Sequence, residues 1–134
     1  VKKHYKFKLE NTYAYQHKLL IGIYLSNNWC NINDGILIIK KGYAWDGCSP
    51  KHSAFGLFLF GTPDGVLKEG KPWTYYQSLV HDVLMQFRLE LPLSKEQTST
   101  IFRDHLNSVK WPLTKQYVWA VNKLGPQNYG KQND

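Results

Sequence analysis

Cysteine is scarce in this chain: Cys30 and Cys48 are the two among 134 residues, too few for a disulfide framework that a domain of this length does not need. Long apolar runs are missing as well. No stretch of about 18 or more apolar residues occurs, so no segment reads as a membrane-spanning helix. The start, Val1-Lys2-Lys3-His4-Tyr5-Lys6, leads into alternating polar and apolar residues and not into the apolar core of a signal peptide. The expectation is an intracellular product with both thiols free. Internal repeats and low-complexity segments are lacking too. Acidic residues are the minority charge: 17 Lys and Arg stand against 10 Asp and Glu, for a net +7, which favours encounters with anionic or membrane surfaces and acidic partners. The charge is nonetheless dispersed. Lys2, Lys3, Lys6 and Lys8 form a loose arm and Lys40-Lys41 a pair, without the dense Arg runs or aromatic platforms of dedicated nucleic-acid modules.

What is present is globular. The chain is 43% apolar, 15% aromatic and 20% charged, and a single domain over 1–134 of this length buries roughly two-thirds of the surface its unfolded form exposes. Residues 1–42 read as strand-rich: Tyr5-Phe7-Leu9, Leu19 to Leu25 and Ile36 to Ile39 alternate or run in short β-type blocks. Asn11, Asn27-Asn28 and Asp34-Gly35 separate them, the last being a hairpin turn signal. Residues 43–72 carry Gly, Pro and Ser around an apolar island, Ala54 to Phe60, and read as a long structured loop with a short helix within Ser53 to Phe60.

Residues 73–125 turn helical. Tyr76, Leu79, Val80, Val83, Leu84 and Phe87 fall on one stripe and predict a helix over 73–88. Ser94 with Gln97 forms a capping box that opens a second helix, whose buried stripe is Thr98, Ile101, Phe102, His105, Leu106 and Val109. A third helix over 114–124 stops at Gly125-Pro126, and a frayed tail occupies 126–134. The fold class is α+β, antiparallel strands first and about three helices last.

Chemistry concentrates in two places. His81 and Asp82 flank the apolar stripe of the first helix, boundary positions suited to a site between helix and loop; His moves protons near neutral pH and Asp holds hard cations through oxygen. An adjacent His and Asp on a helix also commonly just pairs or caps. The loop Trp45-Asp46-Gly47-Cys48-Ser49 places a carboxylate before a Gly, where backbone can approach a ligand or wrap a cation; the plain alternative is an Asp-Gly turn closed on itself. Cys48 as nucleophile with His81 as base is a further arrangement, against the default of a buried inert thiol. His4, His17, His52, His81 and His105 show no paired spacing for zinc, and His105 inside its apolar stripe reads as a hydrogen-bonded core residue.

Taken together, Gly42-Tyr43-Ala44-Trp45-Asp46-Gly47-Cys48-Ser49-Pro50, Leu79-Val80-His81-Asp82 and Tyr117 to Gly125 resemble a family of small phage and prophage proteins, the domain of unknown function 1353 family, over roughly residues 36 to 125. The resemblance implies a phage protein in the host cytoplasm or virion, with a host or virion protein as partner and no established activity to carry over. The same loop and helix are also similar to the secreted bacterial phospholipase A2 enzymes. That similarity implies calcium held by Asp46 and Asp82, His81 as the base, and Trp45, Gly47, Cys48 and Ser49 at the binding loop. This chain departs from those enzymes at Met85, where they have tyrosine, in having only two cysteines, and at Ser99, where they have an acid; Asp104 is the substitute for orienting His81. Two readings therefore stand: a non-catalytic phage protein with a structural or host-directed binding role, and a metal-assisted hydrolase of an ester or amide.

Overall fold

The computed structural model describes residues 7–45, 67–68, 71–72, 74–125 and 127–132. Its frame is a four-stranded antiparallel sheet followed by three helices, the α+β order expected. The sheet is built from β2 (Tyr13–Gln16), β3 (Tyr24–Ser26), β4 (Cys30–Asn33) and β5 (Ile36–Ile39) in the order β2-β5-β4-β3. A short pair, β1 (Phe7–Lys8) with β6 (Ala44–Trp45), stands beside it, and β7 (Leu67–Lys68) pairs with β8 (Lys71–Pro72) inside the region read as loop. The predicted short helix at Ser53 to Phe60 lies outside the described residues.

The turn between β4 and β5 follows from its two residues. Asp34 and Gly35 both take left-handed backbone, φ 44° and 99°, the geometry that matches the twist of a two-residue hairpin. The turn sets the register Asn33 to Ile36, and Asp34 Oδ1 accepts the Gly22 N–H at 2.9 Å. Strand periodicity then sorts the faces. Tyr13, Ile39 and Cys30 align on the inner face, as do Tyr15, Leu37, Ile32 and Leu25. The outer row is Gln16, Ile36, Asn33 and Tyr24, all exposed. Leu19 to Leu25, expected as one strand, is divided: a 3-10 turn covers Lys18–Leu20, Gly22 reverses the chain at φ 82°, and only Tyr24–Ser26 is strand.

Helix α1 (Tyr75–Gln86) buries nine of its twelve residues, polar Gln77, Ser78 and His81 included. It is a central helix, covered almost all round, and not a surface helix with one wet face. Leu79, Val80, Val83 and Leu84 are fully buried, contributing about 1.5–3 kcal/mol each. Helix α2 (Lys95–Ser108) starts at the expected capping box: Ser94 Oγ accepts the Gln97 N–H and Gln97 Oε1 accepts the Ser94 N–H, both at 3.0 Å. It packs on α1 and on α3 (Thr114–Leu124). Ile101 joins the apolar cluster formed with the sheet and α1, while Phe102 and Leu106 join a second one with Trp111, Tyr117, Ala120 and Val121.

The tail read as frayed is docked over the part described. Tyr129 is buried and its hydroxyl donates to Met85 Sδ, Gly130 N–H donates to the Arg88 carbonyl at 3.0 Å, and the Arg88 guanidinium holds the Asn128 carbonyl at 2.9 Å. Gly130 is required there, because a Cβ would come within 2.3 Å of the Leu91 carbonyl oxygen.

Candidate functional site

His81 projects from α1 into the seam with α2. Its ring stacks on Phe102, centroids 4.4 Å apart and planes 19° from parallel, and the residue is only 3% exposed. The boundary position expected from the stripe is therefore corrected: α1 is covered on nearly every side, so its flanks are interior too. Burial, and after it the neighbouring His105, pull the His81 imidazole down to about 3. A ring so poor at keeping a proton is neutral at physiological pH and is a weak base there. Asp82 beside it is half-buried.

His105, one helical turn along α2 from Ile101, is the hydrogen-bonded core residue expected. Its Nε2 lies 3.1 Å from the Tyr13 hydroxyl, and its ring stacks on Tyr15 at 4.0 Å. Burial first, then the nearby His17, hold it at about 4. Tyr13 also stacks on Tyr76 of α1 at 4.3 Å, so β2 is fastened to both helices by rings. Burial pushes both Tyr13 and Tyr15 up to about 12, so their hydroxyls keep their protons.

Asp104 does not fill the orienting role assigned to it beside His81. Its Oδ2 accepts from His17 Nε2 at 2.8 Å, and Arg103 reaches its Oδ1 at 3.4 Å. His17 Nδ1 meanwhile accepts the Leu19 N–H at 3.0 Å. That contact settles the tautomer, since the nitrogen that accepts carries no proton and Nε2 must donate. Partial burial works to raise the Asp104 carboxyl, yet the hydrogen bond from His17 and the Arg103 charge outweigh it and hold it below its usual value. The physical reason for the correction is direction: Asp104 and His105 are consecutive on α2 and point to different neighbours. Ser99, the position compared with an acid, donates to Asn122 Oδ1 at 2.5 Å.

The binding-loop residues divide at Trp45, whose backbone pairs with Phe7 as the end of β6. Asp46, Gly47, Cys48 and Ser49 lie outside the described residues. Among the described residues no group of three His, Cys, Asp or Glu converges. Cys30 is a free, buried thiol pushed up by that burial. No family model, curated protein or solved structure matches the chain. No described helix is long and apolar enough to cross a membrane.

The sequence reading passed over His17, Tyr13 and Tyr15 as a set. Their signal is legible: Tyr13, Tyr15 and His17 repeat at period two, which puts all three on one face of an extended segment.

Proposed function

We propose that this chain is a non-catalytic phage or prophage protein with a structural or host-directed binding role, working in the host cytoplasm or the virion. The observation that carries the non-catalytic reading is the His81 ring, sealed between helices against Phe102 and kept neutral by burial. Proton transfer needs a group within hydrogen-bond reach of a reacting atom and a proton affinity near the working pH. The His81 ring packs on Phe102, and Asp104 accepts from His17. The phage setting is supported by the resemblance of the Gly42 to Pro50, Leu79 to Asp82 and Tyr117 to Gly125 segments.

The test is a pair of variants. His81→Ala should cost about 2–4 kcal/mol of stability, the range for emptying a buried ring site, read by urea denaturation. Calorimetric titration of the wild type should show no calcium uptake. Calcium binding that Asp82→Asn removes, with an ester hydrolysis that His81→Ala abolishes at unchanged stability, would overturn the reading in favour of the hydrolase.

A further inference from the structure

On the side of α2 away from the sheet, two cavities of about 310 and 710 Å³ adjoin and share Arg103, Val118 and Asn122. They form one groove between α2 and α3. Its walls come from helical spacing: Ser99, Arg103 and Asn107 recur every four residues on α2, and Lys115, Trp119 and Asn122 follow one face of α3. The volumes fall within the range of small-ligand sites, about 300–1,000 Å³.

The groove is polar along its length in an ordered way. At one end Lys95 is already committed, its ammonium donating to the Asn122 carbonyl at 2.7 Å and to Gln127 Oε1 at 2.6 Å, and Glu96 sits there too. That end does not attract an anion. Where the two cavities meet, Arg103 is half exposed, with a long contact to Asp104 at 3.4 Å, and Lys115 in the second cavity is exposed. The second cavity is also lined by Trp119, 50% exposed. Asn107, Gln116 and Asn122 add amides that both donate and accept.

We propose that this groove binds a nucleotide unit, its phosphate at Arg103 and Lys115 and its base stacked on Trp119. Charge selects the anion, since cations outnumber carboxylates in the lining and the whole chain carries +7. The exposed indole beside that charge selects a planar partner, because any base offers a face for stacking. Bare phosphate would draw only on the cations, and an uncharged ring only on the exposed indole. The proposal goes beyond the reading above and does not depend on the His81 cluster.

The probe is a short labelled oligothymidylate, its binding followed by fluorescence anisotropy across a salt series. The wild type should bind with an affinity that falls as salt rises. Arg103→Gln with Lys115→Gln should reduce the slope of log affinity against log salt by about 0.7, the value for one neutralised phosphate on a single strand. Trp119→Leu should weaken binding about tenfold at unchanged slope, and Trp119→Phe, which keeps a ring, should retain most of the affinity. All these side chains are exposed, so thermal melts should match the wild type. Competition by thymidine monophosphate assigns the site to single nucleotides, and competition by the oligomer alone assigns it to a strand; either supports the proposal. Absence of binding, an undiminished affinity in Trp119→Leu, displacement by inorganic polyphosphate as effective as by the oligomer, or an equal loss of slope in the control Lys8→Gln with Lys41→Gln, a pair that lines a separate cavity, would overturn it.

Discussion

Acid should destabilise this protein well before its carboxylates titrate, because His81 and His105 are neutral in the fold at about 3 and about 4 and return to about 6.5 when the chain unfolds. The direction follows from proton counting. Between pH 6.5 and 4 the unfolded chain binds protons at both rings and the folded chain does not, so stability is full above about 6.5 and falls as the pH drops towards the folded values. Each ring contributes about 1.4 kcal/mol per pH unit below 6.5, and from pH 7 to pH 5 each therefore removes about 2 kcal/mol, or about 4 kcal/mol for the pair. Against a typical stability of about 5–15 kcal/mol that is a large fraction. Both rings are buried in the apolar seam, so solvent screening takes little from the figure. Asp104 moves the other way, its lowered carboxyl losing stability only at still lower pH. The assay is urea denaturation at intervals from pH 7 to pH 5 for the wild type, His81→Gln and His105→Gln. Each variant should lose about one proton from the pH slope, roughly half of the pair's contribution. A slope unchanged in both variants would refute the reasoning, since it would mean that neither imidazole is held neutral by the fold.

Two shorter expectations follow from the same geometry. Ser94→Ala removes the capping box of α2 and should cost about 1 kcal/mol, measured by thermal melting, with Ser94→Asp recovering most of it. Asp104→Ala takes the acceptor from His17 Nε2, 2.8 Å away; because Asp104 is more than a third exposed, the loss should stay near about 1 kcal/mol, and the same change in His17→Ala should cost more, since the Leu19 N–H loses its acceptor as well.

The parts of the fold that were legible are those set by local chemistry. The Asp34-Gly35 turn, the Ser94-Gln97 box and α3 over 114–124 each rest on residues whose backbone preference or hydrogen bonding acts within a few positions. What escaped was decided at a distance. Strand β4, Cys30–Asn33, alternates two asparagines with two apolar residues over only four positions, too short and too polar to stand out until β3 and β5 pair with it. Helix α1 offered a stripe, but its single charged residue, Asp82, among twelve was the quieter sign of a helix without a wet face. Reading His81 as a boundary residue followed from the stripe; finding it against Phe102 needed the packing of α2. The groove at Trp119 was hidden for a related reason, because Arg103 and Lys115 are separated in sequence and meet only when α2 and α3 lie side by side.

Ile101 and Phe102 are neighbours along one strip of backbone, yet each is claimed by a different apolar cluster. Helix α2 is thus a party wall. Neither side can be dismantled while the wall stands, and neither stands once it is gone, so the sheet and the last helix should open to solvent together at one denaturant concentration. A fault in α2 would be inherited by both, including by surfaces it never touches.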